Sequence, residues 1–180
     1  MVRPPGRSFV AVPEMGLGVP YESIFTDQEW SLLVGLPQSV VTAASAAEQN
    51  SERRTLIEGE AGLTAIADGR TYGSPLVERV AQELVDRLGG DPELGEEPAV
   101  VVPTEDPANA IAECLRRAGQ AMGVLAAKLD DGDSGAYRHW LVTIAESVAE
   151  AAPSGVLGVR DPISESEQDF VRELSKVLGD

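Results

Sequence analysis

Apolar side chains recur at alternating intervals of four and three residues between Pro107 and Leu129. They are Ile111, Leu115, Ala118, Met122, Leu125 and Leu129. This spacing places them on one face of an α-helix, where a continuous stripe requires other helices to cover it. The pattern therefore predicts a helical bundle. In the same stretch Gly119 and Gly123 stand four apart, which predicts close packing against a second helix.

Five further segments show helical periodicity or the capping residues that begin a helix. The predicted helices cover residues 27–48, 51–68, 75–88 and 107–129, one around Trp140 to Val148, and one that starts at Ser164. Pro37 falls inside the first of these segments and should bend it near Leu36, because proline removes one hydrogen bond of the helix.

Hydroxyl and carboxyl residues mark where several of these helices begin. Thr26 with Glu29, and Ser164 with Glu167, have the spacing of a capping box, in which each residue bonds the backbone N–H of the other. Ser74 followed by Pro75 predicts another cap. After residue 88, a glycine pair at 89 and 90 predicts a left-handed helix end.

The predicted fold is all-α, a bundle of about six helices in one compact domain. Its parts are an irregular arm over residues 1–25, a first helical half over 26–90, an acidic proline-rich connector over 91–105 and a second half over 106–180. Residues 33–44 match 141–152, and residues 74–90 match 164–180, which predicts that the two halves arose by duplication. Shared composition of amphipathic helices explains the same matches.

Charge restricts the classes of partner. The chain carries 30 acidic residues against 14 basic ones, a formal net charge of -16, which repels nucleic acid and anionic lipid. The acidity favours cations or a basic protein partner, and equally a solvated surface without a partner. The single cysteine, Cys114, indicates a reducing compartment. No signal peptide or membrane span is readable, so a cytoplasmic protein is expected, and the arginine- and alanine-rich composition suggests a bacterial source.

No catalytic constellation is evident in the sequence. His139 is the only histidine, and no neighbouring carboxylate and nucleophile complete a triad with it. Cys114 precedes a predicted core leucine and is expected to pack as a small apolar group. The loop 130–135, "DDGDSG", departs from the spacing of a calcium-binding EF-hand, so we expect Asp133 and Ser134 to cap the next helix. A non-enzymatic protein is predicted.

One segment resembles a known family. Residues 145–179, "AESVAEAAPSGVLGVRDPISESEQDFVRELSKVLG", are similar to tellurite-resistance TerB-like domains, which are small, all-helical and bacterial. The resemblance implies a divalent-cation site at Asp161, Ser164 and Glu167. The chain departs from the family pattern where proline follows Asp161. Glu146 and Glu150, one helical turn apart, are further candidate ligands.

The sequence therefore predicts a non-enzymatic, acidic, helical binding or accessory protein of the stress-related type, with a divalent cation or a basic protein as its ligand. A metal-free adaptor or scaffold between proteins is the alternative. An enzyme of unknown type is the second alternative.

Overall fold

The computed structural model describes residues 21–48, 52–89, 104–151 and 163–180. Within these ranges the protein is an all-α bundle with six helices of 14 to 22 residues and no strand. The elements are α1 (Tyr21–Ile24), α2 (Asp27–Ala46), α3 (Glu52–Asp68), a 3₁₀ turn (Gly69–Thr71), α4 (Pro75–Leu88), α5 (Pro107–Lys128), α6 (Asp131–Glu150) and α7 (Glu165–Leu178). The predicted fold class is confirmed.

Helices α2 and α6 form the centre of the bundle. Helix α2 packs against α5, α6 and α3, and α6 packs in addition against α7 and α4. Their inward side chains are almost fully excluded from solvent, and the largest of them are Trp140, Tyr137, Leu33 and Leu36. Since each of the two helices is covered on several sides, both carry apolar residues on more than one face.

Helix α2 continues through Pro37 because a tyrosine replaces the hydrogen bond that proline removes. Proline has no N–H to donate to the carbonyl of Leu33, four residues earlier. The hydroxyl of Tyr137, on α6, donates to that carbonyl at 2.7 Å, and both residues are fully buried. The carbonyl is thus satisfied inside the core. The bend expected near Leu36 stays a prediction.

Two of the predicted caps are confirmed. Thr26 and Glu29 form a complete capping box on α2, and Ser164 and Glu167 form one on α7. The prediction for Ser74 was wrong in part: it stands at the start of α4, but its hydroxyl contacts Asp133 at 3.3 Å instead of the backbone.

Helix α6 begins earlier than predicted, because the acidic segment 130–135 is helical from its second residue. Asp130 is the cap, and its side chain accepts hydrogen bonds from the N–H groups of Gly132 and Asp133. Asp133 and Ser134 are consequently inside the helix, and the prediction that they cap it was wrong. The backbone groups at this helix start favour carboxylate, which explains the acidic composition without a calcium ion.

The face of α5 that enters the core is rotated relative to the prediction. The buried residues are Cys114, Ala118, Ala121 and Leu125, whereas the remaining predicted core residues are partly buried against them. Cys114 packs as a small apolar side chain, as expected, and burial raises the pKa of its thiol to about 12.

The two glycines of α5 do not pack against another helix of the described chain. Gly119 and Gly123 are both exposed. A Cβ added at Gly119 would approach Val177 only to 3.8 Å, and one added at Gly123 would meet nothing within 4 Å. The prediction of close packing at these residues was therefore wrong within the chain.

Other boundaries differ in detail. Residues 21–24, placed in the irregular arm, form the short helix α1. Gly89 ends α4 with a right-handed φ of -66°, so the prediction of a left-handed helix end was wrong at this residue. Residue 90 and most of the predicted connector lie outside the described residues. The proposed duplication stays a prediction.

Among the helices of the described ranges, none is both long enough and apolar enough to cross a bilayer.

Candidate functional site

The residues predicted to bind a cation are spread over two helices and one segment outside the described ranges. Ser164 and Glu167 begin α7, and Glu146 and Glu150 are exposed on α6. Asp161 lies among residues 152–162, which the structure does not describe. The complete predicted set is therefore untested.

Glu167 is buried and fully engaged inside the protein. One carboxylate oxygen accepts the backbone N–H of Ser164 at 2.8 Å, as part of the capping box. The other oxygen accepts from Nη2 of Arg54, on α3, at 3.1 Å. A cation at Glu167 would have to compete with the guanidinium group or with the capping bond for a carboxylate oxygen. As arranged here, both oxygens of Glu167 have partners within the protein.

Arg54 is the centre of a carboxylate cluster that joins α2, α3 and α7. Besides Glu167, its guanidinium group binds Glu58 at 2.8 Å and approaches Glu48 at 2.9 Å. Glu58 is fully buried and also accepts the Ser45 hydroxyl at 2.8 Å. Three carboxylates around one guanidinium leave excess negative charge in the interior.

The pKa of Glu58 is raised because its carboxylate is buried in this cluster. Desolvation raises the pKa, while the hydrogen bonds from Ser45 and Arg54 lower it, and the net shift is upward. The nearby charge of Glu167 acts in the same direction as desolvation. The cluster therefore links three helices, and its charged groups bind one another within the protein.

An open groove lies between α3 and α6. It is lined by Ile57, Glu60, Ala61, Thr64, Ala65, Asp68, Ser147 and Ala151. Ala61, Ala65 and Ala151 in this lining are half-buried, and Glu60 and Asp68 are exposed. We call this surface the α3/α6 groove.

Close packing of α3 creates this shape. A Cβ added at Gly62 would lie 2.6 Å from both terminal methyl groups of Val41 and 2.9 Å from a methyl group of Val148. Helix α3 therefore approaches α2 and α6 at a distance that only glycine allows at this position. Because α3 lies so close to α2 and α6, the surface between α3 and α6 is shallow.

Two exposed carboxylates, Glu60 and Asp68, belong to the lining of the groove. Glu146 and Glu150 are exposed one turn apart on α6 and precede the lining residues Ser147 and Ala151 in sequence. In the described ranges none of the four has an ion-pair partner, whereas Glu29 binds Lys128 at 2.6 Å. The described lining of the groove therefore carries two negative charges and no positive one.

The remaining candidate residues lack the geometry of an active site. The His139 side chain is 66% exposed, and its Nδ1 lies 3.7 Å from the Asp180 carboxylate. Tyr21 donates to Asp133 at 2.5 Å, and burial together with this carboxylate raises the pKa of Tyr21 to about 12. In the ranges that the structure describes, no group of three or more histidine, cysteine or acidic side chains is placed to hold a metal ion.

Comparison with known proteins adds no family assignment. No family model matches the chain, no curated protein is similar to it, and no solved structure matches its fold. The resemblance to TerB-like domains is therefore untested and stays a prediction.

Sequence reasoning identified Glu146 and Glu150 but not the groove beside them. The available signal was the spacing of Ala61, Ala65 and Asp68 on one face of the weakest predicted helix. Small residues at that spacing are common in helices. Only the packing of α3 against α6 shows that these residues line a groove.

Proposed function

We propose that this protein is a non-enzymatic acidic binding protein that receives a basic segment of a protein partner in the α3/α6 groove. The single observation that carries the proposal is an open groove lined by alanines and by two exposed carboxylates, Glu60 and Asp68, that have no ion-pair partner in the described ranges. A lysine- or arginine-rich segment supplies a counter-charge, and its small apolar side chains fit against the alanines.

The electrostatic part of such binding has a predictable strength. Exposed ion pairs contribute about 0.2 to 1 kcal/mol each and weaken as salt is added. Two pairs at Glu60 and Asp68 would therefore change the dissociation constant by about tenfold. Long-range attraction from the net charge of -16 raises the association rate for any basic partner, so only local changes test the groove.

The test uses a fluorescent helical peptide of alanine and leucine with four lysines on one face, measured by anisotropy at two salt concentrations. Glu60→Gln combined with Asp68→Asn should weaken binding about tenfold. Glu165→Gln combined with Glu173→Gln, which removes the same charge from exposed positions of α7, is the matched control and should have less than a twofold effect. Equal losses in both variants would show nonspecific charge attraction and refute the proposal.

A steric variant provides a second readout. Thr64 is exposed in the groove lining, and Thr64→Arg places a long positive side chain there without entering the core. We expect this variant to fold normally and to lose the lysine peptide. If Thr64→Arg binds as tightly as the natural protein, the peptide occupies another surface.

A divalent cation is the competing ligand, because Glu146 and Glu150 are exposed oxygen ligands one turn apart. That hypothesis predicts a saturable rise in melting temperature with one of calcium, magnesium, manganese or zinc after chelation. Glu146→Gln combined with Glu150→Gln should then abolish the rise. No selective rise would leave the basic peptide as the ligand class.

A further inference from the structure

Arg117, on α5, is a half-buried cation without a carboxylate partner in the described parts of the chain. Its Nη1 donates to the hydroxyl of Ser39, on α2, at 2.7 Å. The nearest acid in sequence, Glu113, is influenced by Arg117 but binds the neighbouring Arg116 instead. In a protein with 30 acidic residues, an arginine held in this way is unusual.

The position of the Arg117 side chain is built into α2. Gly35 leaves the space for the guanidinium group, because an added Cβ would lie 2.8 Å from Nη2. The Ser39 hydroxyl, which accepts from Arg117, in turn donates to the carbonyl of Gly35 at 3.1 Å. The guanidinium group is therefore oriented by two groups of one helix and keeps unused N–H donors.

Arg117 stands at one end of a surface that we call the α2/α5 groove. The end near Arg117 is lined by Asp27, Gln28, Ser31 and Leu32. The continuation is lined by Gln28, Glu29, Leu32, Gln120, Gly123, Val124 and Ala127. Both parts share Gln28 and Leu32, so they form one groove along the two helices. At its far end Glu29 is neutralised by Lys128.

Two small residues, Gly123 and Ala127, form part of the α5 side of this groove. Gly123 lines the groove and has open space where a side chain would stand. Ala127 follows one turn later, and the exposed Gly119 precedes by one turn. Small residues at intervals of four allow two helix backbones to approach closely, and no described residue of this chain lies within 4 Å of the Cβ position at Gly123.

We propose that the α2/α5 groove binds a helical segment of a protein partner, with one acidic side chain of that segment paired to Arg117. Charge complementarity defines the occupant: a carboxylate matches the planar donors of the guanidinium group. Asp27, in the same end of the groove, disfavours a segment with several acids. The fitting segment therefore carries one acid and an apolar side chain that covers Gly123.

Helix geometry sets the spacing in that segment. Arg117 and Val124 are seven residues apart, about 10 Å along α5. A partner helix that runs along the groove presents residues seven apart on one face at the same distance. A second copy of this chain is a poorer occupant, because two molecules of charge -16 repel each other.

The test is an NMR titration of the full chain with an 18-residue helical peptide of alanine and glutamine that carries one glutamate and one leucine seven residues apart. We expect saturable shifts of the Arg117 Nε–H and the Gly123 amide signals. Replacement of the peptide glutamate by glutamine should weaken binding about tenfold. Arg117→Gln should remove the difference between the two peptides. Equal binding of both peptides to the natural protein would overturn the proposal.

A second variant separates binding from folding. Gly123→Leu fills the groove at a position with open space, so it should raise the melting temperature while it abolishes peptide binding. Ala126→Leu, at an exposed residue of α5 outside the groove lining, is the control and should bind normally. Unchanged binding by Gly123→Leu would refute the groove. Self-association of the chain that is lost in Gly123→Leu would assign the surface to a second copy and likewise overturn the proposal.

Discussion

The bond between Tyr137 and the carbonyl of Leu33 allows a sharp test of why α2 tolerates a proline. Tyr137→Phe removes the hydroxyl and leaves a buried carbonyl without a donor, because Pro37 cannot supply the N–H. An unsatisfied buried acceptor costs about 1 to 3 kcal/mol. For a chain of this length, we expect the melting temperature to fall by about 2 to 4 °C for each kcal/mol lost.

The reasoning predicts that this cost depends on residue 37. In a Pro37→Ala background the N–H of residue 37 can donate to the carbonyl of Leu33, as in a regular helix. Tyr137→Phe should then cost only about 0.5 to 1 kcal/mol, the net value of an ordinary hydrogen bond. At the middle of these two ranges, the coupling between the two changes is about 1 kcal/mol.

Urea unfolding of the natural protein, both single variants and the double variant measures the coupling. Tyr72→Phe is a matched control, because the hydroxyl of Tyr72 interacts with Thr143 and should be independent of residue 37. Equal costs of Tyr137→Phe with proline and with alanine at 37 would refute the explanation. The proline would then have to be accommodated by backbone distortion alone.

Three further predictions follow from packing and charge. Gly62→Ala should destabilise the protein by about 1 to 3 kcal/mol in urea unfolding, because its Cβ would lie 2.6 Å from methyl groups of Val41. Lys128 and the capping bonds lower the pKa of Glu29 to about 2, so its stabilisation is complete above pH 4.5 and is lost as the pH falls towards 2; Glu29→Gln should remove that acid-side loss. Burial raises the pKa of Glu58 above 4.5, so the free energy of unfolding should decline as the pH rises from 4.5 through the raised pKa, and Glu58→Gln should abolish this decline.

Local signals were sufficient to predict the six long helices, but not the short helix α1. The capping boxes at Thr26 and Ser164 are confirmed because both partners of each box lie within four residues. The start of α6 was wrong because several acids in one segment can all serve as caps, and the choice of Asp130 depends on where the helix meets Tyr21 and Ser74. Competition of this kind is decided by tertiary contacts, which a short stretch of sequence does not contain.

The glycines of α5 also show that a spacing in the sequence does not identify the tertiary contact it makes. The spacing of Gly119 and Gly123 predicted close packing of a second helix, but no described helix approaches these residues closely. Within the chain, α2 and α7 flank α5 and leave these glycines exposed. The pattern is therefore better interpreted as the property of a surface than as a contact of the fold.

Glu167 shows why residue type alone did not locate a ligand site. A carboxylate at the third position of a helix suits both a cap and a cation, and the sequence contains no feature that separates these roles. Arg54, 113 residues away, binds one of its oxygens, and no local feature of the sequence indicates this contact. Acids without such a partner, such as Glu60 and Glu150, keep their charge available at the surface. We therefore expect a ligand to contact the exposed faces of α3 and α6 rather than the buried start of α7.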